Sequence, residues 1–123
     1  MHSLAASRPL RVLVIEDEIL IRMLFEEMLA DLGHAVEGAA GHVEEALDLA
    51  RTSECDVAIL DVHLNGVEVY PVAAALADRG IPFLFATGMA GKELPEAFRD
   101  RPTMQKPFQA GRLQEILMQL AGK

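Results

Sequence analysis

Short apolar runs alternate along the chain with segments whose apolar residues recur at helical spacing. Three runs, Leu10–Ile15, Asp56–Asp61 and Pro82–Thr87, are almost continuously apolar. Runs of this kind are typical of strands that are buried on both faces of a sheet. Two weaker runs, Ala35–Gly38 and Thr103–Gln105, predict further strands, which brings the predicted total to five.

Helices are predicted between these strands. The segments with helical spacing are Ile19–Leu32, Val43–Arg51, Val69–Arg79, Leu94–Phe98 and Gln109–Leu120. Gly33 and Gly80 end two of these helices, and Asn65-Gly66 predicts a tight turn after the third strand. Five strands that alternate with five helices predict an α/β fold, a doubly wound parallel sheet with right-handed crossovers.

Composition and charge exclude several classes of function. The chain has 123 residues, 51% of them apolar, which fits one folded domain, expected over residues 10–121 behind a flexible arm at residues 1–9. A net charge of -8 disfavours nucleic-acid binding, and no apolar run has the length of a membrane helix. With Cys55 as the only cysteine, an internal disulfide is excluded, and a reducing cytoplasm is the expected location.

Polar residues stand at the carboxyl ends of the predicted strands, where parallel sheets bind their ligands. These residues are Glu16-Asp17, Asp61, Thr87-Gly88 and Lys106-Pro107. Three carboxylates that converge repel one another, and a hard cation such as Mg²⁺ or Mn²⁺ offsets the repulsion. Together with a lysine and a hydroxyl donor, such a site suits phosphoryl transfer to a carboxylate nucleophile.

The order of these motifs resembles that of bacterial two-component response regulator receiver domains. The matching segments are Val14-Ile15-Glu16-Asp17-Glu18, Ile59-Leu60-Asp61-Val62, Ala86-Thr87-Gly88 and Lys106-Pro107-Phe108. The resemblance extends over residues 10–121 and implies a flavodoxin-like fold with strand order 2-1-3-4-5. It also implies a phosphoacceptor signalling protein that catalyses only its own phosphorylation and dephosphorylation.

The resemblance further implies roles for individual residues. Asp61 is the implied phosphoacceptor, and Mg²⁺ is bound by Asp17 and Asp61 directly, by Glu16 through water and by the backbone carbonyl of His63. The implied phosphoryl-contact and switch residues are Thr87, Gly88, Lys106 and Pro107, with a cis bond before Pro107 that aims Lys106. His63 and Met89 occupy the positions that tune dephosphorylation.

Two further segments resemble the FAT GUARD subfamily of alphaproteobacterial receivers. They are Tyr70-Pro71-Val72-Ala73 and Pro82-Phe83-Leu84-Phe85-Ala86-Thr87-Gly88. This resemblance implies a stand-alone receiver, monomeric or weakly dimeric, without an output domain. Its implied partners are a sensor histidine kinase, with the HWE class as one candidate, or a histidine phosphotransferase, and an unknown downstream protein. Output then runs through protein contacts or by draining phosphoryl groups from a shared kinase.

Three features depart from the usual receiver pattern. Asn65 stands four residues after the phosphoacceptor, where proline is usual, and Thr103 stands where a switch aromatic is usual. Only 19 positions separate Thr87 from Lys106, which predicts a short or irregular fourth helix. We hypothesise that switching instead involves order and disorder of Gly88–Lys92.

Two alternative functions remain open from the sequence. A Mg²⁺-dependent phosphatase-like hydrolase would require a second acid near Asp61 and a cap domain. A pseudo-receiver that only binds partners would not require the retained Glu16, Asp17, Asp61, Thr87 and Lys106.

Overall fold

The apolar runs form the strands of a central sheet in the computed structural model, which describes residues 9–88, 94–105 and 107–122. The strands are β1 (Arg11–Ile15), β2 (Ala35–Ala40), β3 (Val57–Asp61), β4 (His63–Leu64), β5 (Val67–Glu68), β6 (Phe83–Thr87) and β7 (Thr103–Gln105). The α-helices are α1 (Ile19–Asp31), α2 (Val43–Thr52), α3 (Tyr70–Asp78) and α4 (Ala110–Ala121). A 3₁₀ turn, Glu96–Phe98, precedes β7. The predicted arm lies outside the described residues, apart from Pro9.

The main sheet is parallel, with the order β2-β1-β3-β6-β7. This order confirms the predicted 2-1-3-4-5, because β4 and β5 form a separate antiparallel hairpin. In register, Ile15 pairs with Leu60 and Asp61 pairs with Ala86. The carboxyl ends of β1, β3 and β6 therefore lie side by side at nearly the same level.

Both faces of the sheet are covered, as the continuous apolar runs predict. Leu13 and Ile15 of β1 pack into the layer that holds α2 and α3, whereas Val12 and Val14 pack into the layer that holds α1 and α4. All four side chains are fully buried. Because successive side chains of a strand point to opposite faces, one short strand anchors two layers of helices and thereby fixes where its carboxyl end lies.

The prediction of five helices is wrong for the described residues, which contain four α-helices. The predicted helix Leu94–Phe98 is instead one 3₁₀ turn, closed by the Phe98 N–H, which donates to the Pro95 carbonyl at 2.9 Å. A turn this short has few helical hydrogen bonds, and the packing of its aromatic side chain holds it in position. The Phe98 ring lies 6.0 Å from the rings of Tyr70, Phe83 and Phe85, centroid to centroid.

Helix α1 confirms the helical spacing of Ile19, Met23, Leu24, Met28 and Leu32, but it buries only part of that set. Its buried residues are Phe25, Met28 and Leu29. Ile19, Leu20 and Met23 are instead 62%, 79% and 56% exposed. Apolar residues surround the first two turns of this helix, so periodicity alone does not select the face that meets the sheet.

Among the described residues, no helix combines the length and the apolar composition that crossing a membrane requires.

The core predicts a contrast between two leucines. Leu60→Ala is expected to lower the free energy of unfolding by about 2–5 kcal/mol, because Leu60 is fully buried in β3. Leu20→Ala removes the same atoms from an exposed site and is expected to change the free energy of unfolding by about 0.5 kcal/mol or less. Urea unfolding measures both; equal losses would contradict this assignment of the core.

Candidate functional site

Three carboxylates meet at the carboxyl edge of the sheet. Glu16 and Asp17 follow β1 directly, and Asp61 is the last residue of β3, the neighbouring strand. One carboxylate oxygen from each residue lies within 4.8 Å of the others. Within the described ranges they form the only group of three or more His, Cys, Asp and Glu side chains close enough to hold a metal ion. The predicted convergence of the three acids is therefore confirmed.

Glu16 is the most buried of the three acids, with 5% exposure. Its Oε2 accepts a hydrogen bond from the Glu18 N–H at 3.0 Å. Burial, reinforced by the negative charges of Asp61 and Asp17, raises the pKa of Glu16 to about 8 against the opposing effect of that hydrogen bond. Near neutral pH, and without a cation, Glu16 therefore holds a proton.

Asp17 lies beside Glu16 and behaves in the opposite way. Partial burial acts to raise its pKa, but the hydrogen bonds it makes with the Asn65 N–H, Glu16 and Asp61 outweigh burial and lower the pKa below its ordinary value. The Asn65 N–H donates to Asp17 Oδ2 at 2.8 Å. The site thus divides into a protonated acid and an ionised one.

The Asn65 contact comes from a hairpin that the sequence predicts only as a turn. Residues Asn65 and Gly66 have φ angles of 52° and 81°, and they join β4 to β5 through the pairs His63–Glu68 and Leu64–Val67. Two central residues with positive φ define the tight hairpin turn that Asn-Gly favours. The Asn-Gly dipeptide signals this turn, but nothing local in the sequence indicates that its N–H reaches Asp17.

Thr87 ends β6 on the other side of Asp61. Its neighbour Ala86 pairs with Asp61 in register, and Thr87 itself is 6% exposed. Gly88 follows and is exposed, as are His63 at the start of β4 and Pro107 after β7. Lys106, Met89 and the proposed switch segment, apart from Gly88, lie outside the described residues.

The chemistry of these ligands fits a hard divalent cation. All three side chains offer oxygen, which is the donor that Mg²⁺ and Mn²⁺ prefer over nitrogen or sulfur. The three histidines in the part of the chain that the structure describes, His34, His42 and His63, do not belong to this cluster. A cation at this position would also favour the ionised form of Glu16, against the burial and the neighbouring negative charges that keep it protonated.

The buried proton predicts a pH dependence of the metal-free protein. Between pH 4.5, the ordinary pKa of this carboxyl, and pH 8, the folded protein holds more protons at Glu16 than the unfolded chain does. In this window Glu16 ionises in the unfolded chain but keeps its proton in the folded protein. The free energy of unfolding therefore falls as pH rises through the window. With a chelator present, Glu16→Gln is expected to gain stability over the wild type as pH rises, by on the order of a few kcal/mol above about pH 8.

Urea unfolding at several pH values measures this gain. The matched control is Glu27→Gln, an exposed glutamate on α1, which is expected to show no such trend. A stability difference between Glu16→Gln and the wild type that stays constant with pH would contradict the assigned protonation.

Comparison with known proteins shows the family. The solution structure of SdrG from Sphingomonas melonis Fr1 matches with a TM-score of 0.81 and 42% identity, covering 91% of this chain and 96% of that chain. The crystal structure of the response regulator PhyR from Brucella abortus matches with a TM-score of 0.80 and 31% identity, covering 98% of this chain and 51% of that chain.

A curated relative agrees with these structures. The transcriptional regulatory protein PdtaR of Mycobacterium tuberculosis is 37% identical over 107 residues, or 84% of this chain. This chain spans about half the length of that relative, 52%. The family model described as the response regulator receiver domain matches residues 12–118. These residues include β3, β6, all of β1 except Arg11, and the three acids, and the chain therefore belongs to the response regulator receiver domain family.

Proposed function

We propose that this receiver domain accepts a phosphoryl group on Asp61 from the phosphohistidine of a sensor histidine kinase or a histidine phosphotransferase. Output then follows through contacts with another protein, or the domain acts as a sink for phosphoryl groups. The observation that carries the proposal is the cluster of Glu16, Asp17 and Asp61 within 4.8 Å at the carboxyl edge of a receiver-type sheet.

Asp61 is the acid best suited to be the nucleophile. It ends β3 in the middle of the sheet and is partly exposed, whereas Glu16 is buried. A carboxylate oxygen of Asp61 forms the bond to phosphorus while the N–P bond of the phosphohistidine breaks, and the electron pair of that bond returns to the imidazole, which takes up a proton. Attack therefore requires an ionised Asp61 and an approach from the open side of the site.

The remaining residues hold the cation and the phosphoryl oxygens. Asp17 and Asp61 would bind Mg²⁺ directly, with Glu16 acting through water and the His63 backbone carbonyl as a further ligand. A bound Mg²⁺ neutralises charge that develops on the phosphoryl oxygens. Thr87, buried at the end of β6 beside Asp61, would donate its hydroxyl to the phosphoryl group, and Lys106 would pair with it.

Phosphorylation by a small donor tests the proposal directly. Wild type incubated with Mg²⁺ and acetyl phosphate is expected to form a single base-labile adduct, visible as one added phosphate by mass spectrometry. Asp61→Asn is expected to form none, because an amide is not a nucleophile here. Asp78→Asn, an exposed residue at the far end of α3, is the control and is expected to react like the wild type.

Other outcomes of this experiment favour the alternative functions. Steady release of phosphate from unrelated esters would indicate a hydrolase. The absence of an adduct on wild type, with acetyl phosphate and with a competent kinase, would indicate a binding module that no longer accepts phosphoryl groups.

An exposed apolar patch on α1 suits the docking of the phosphodonor protein. We define the patch as Ile19, Leu20 and Met23, which are all more than half exposed at 62%, 79% and 56%. Helix α1 begins two residues after Asp17, so the patch adjoins the acidic cluster. Apolar side chains beside a reactive site mark a surface that a partner covers.

If the patch docks the phosphodonor protein, a substitution in it affects phosphotransfer from that protein but not phosphorylation by a small donor. Leu20→Asp is expected to slow phosphotransfer from a phosphohistidine protein about tenfold or more, because it places a charge in the contact, while leaving the reaction with acetyl phosphate unchanged. Ala74→Asp makes the same charge change at an exposed site on α3, in the opposite layer, and is the control. Equal slowing of both reactions by Leu20→Asp would contradict the docking role.

A further inference from the structure

We propose that Asn65 is a positioning residue for Asp17: its backbone N–H holds one oxygen of the Asp17 carboxylate, so that the other oxygen is left for the cation. The inference rests on the proposed function, because it concerns how that same site holds Mg²⁺. It assigns a role to a position at which the usual receiver residue, proline, has no N–H to donate.

The contacts of Asn65 join three loops of the site. Its N–H donates to Asp17 Oδ2 at 2.8 Å, across 48 positions of the chain. Its side-chain Nδ2 donates to the Gly41 carbonyl at 3.1 Å and lies 2.9 Å from His42 Nδ1. The loop after β1, the loop between β2 and α2, and the hairpin after β3 therefore meet at this one residue.

The backbone of Asn65 makes the contact with Asp17 possible. Its φ of 52° lies in the left-handed region, which asparagine tolerates better than most residues. Proline is fixed near -65° and could neither adopt this conformation nor donate the hydrogen bond. The tight hairpin turn and the N–H on Asp17 are thus two consequences of the same backbone geometry.

The side chain of Asn65 holds this geometry in place. An amide nitrogen carries two hydrogens, so Nδ2, which donates to the Gly41 carbonyl, has a second hydrogen for His42 Nδ1 in the tautomer that leaves this ring nitrogen without a proton. Gly41 itself lies close against the acidic pair: a Cβ on it would stand 3.3 Å from the Asp17 Cα and 3.4 Å from the Glu16 carbonyl oxygen. Tethering the hairpin to Gly41 therefore fixes it relative to Asp17.

A carboxylate held in this way is prepared for a cation. The N–H···carboxylate bond is charge-assisted, and it restricts rotation of the Asp17 side chain before the metal arrives. Hydrogen bonds that orient metal ligands typically contribute about 10- to 100-fold to metal affinity. The contribution of Asn65 is expected within that range.

A series of substitutions separates the N–H from the carboxamide. Asn65→Pro removes the donor and the left-handed conformation, and is expected to weaken Mg²⁺ binding about tenfold or more. Asn65→Gly keeps both and removes only the carboxamide, so it is expected to lose only the smaller share of the affinity that the tether to Gly41 supplies. Asn65→Ala keeps the N–H but disfavours the conformation, and its affinity is expected to lie between those of the other two.

Mg²⁺ alone is the probe, titrated into the ¹⁵N-labelled 123-residue chain and followed by amide chemical shifts, with no phosphodonor present. Gly66→Ala is the matched control: it strains the same turn, where φ is 81° and a Cβ meets nothing within 4 Å, but leaves the Asn65 N–H in place. It is expected to lower stability without the loss of Mg²⁺ affinity that Asn65→Pro shows.

The outcomes are distinct for the two proposals. Mg²⁺ binding by the wild type with unchanged affinity in Asn65→Pro would overturn the role of Asn65 and leave the proposed function intact. If Asn65→Pro does not fold, equal affinities of Asn65→Ala, Asn65→Gly and the wild type would overturn the role instead. If Gly66→Ala loses as much Mg²⁺ affinity as Asn65→Pro does, the loss is caused by a weakened turn, and this too would overturn the role of Asn65. No Mg²⁺ binding by the wild type would count against the proposed function itself.

Discussion

Mutual repulsion among Glu16, Asp17 and Asp61 is the constraint on which this structure depends. Two unit charges 4 Å apart repel by about 1 kcal/mol in water and about 4 kcal/mol at an effective dielectric constant of 20. The metal-free protein relieves this repulsion in two ways: Glu16 keeps a proton, and Asp17 accepts the Asn65 N–H. A cation would replace the first of these and retain the second. Under the proposed function, the three acids are therefore already close together before a cation binds.

The central sheet holds the three acids close together in spite of their mutual repulsion. β1 and β3 are buried on both faces, and their pairing from Val12–Val57 to Ile15–Leu60 fixes the height at which each strand ends. The backbone segments that carry the acids cannot move apart unless this pairing breaks, and breaking it exposes apolar residues from both layers. Apolar packing thus opposes the electrostatic repulsion, and the repulsion lowers the free energy of unfolding that this packing provides.

The sequence predicts those parts of the fold that follow from local pattern. Continuous apolar runs identify β1, β3 and β6, and carboxylates directly after β1 and at the end of β3 identify the site. The spacing predicts α1 but does not select its buried face, because the first turns of this helix are apolar on nearly every side. The 3₁₀ turn at Glu96–Phe98 is mispredicted because ring packing, not helical periodicity, fixes it. The contact of Asn65 with Asp17 depends on two loops 48 positions apart, and no local pattern encodes it.

The same ring packing bears on how a change at Thr87 reaches the surface. Thr103, where receivers usually carry a switch aromatic, is half-buried and offers no ring. Phe85, two positions before Thr87 in β6 and therefore on the same face of the sheet, lies 6.4 Å from the Tyr70 ring and 6.0 Å from the Phe98 ring. Tyr70 and Phe98 stack on each other at 6.0 Å, and each belongs to a separate element, α3 or the 3₁₀ turn. A displacement of Phe85 would therefore press on these two rings, because closely packed side chains leave little space in which to absorb it.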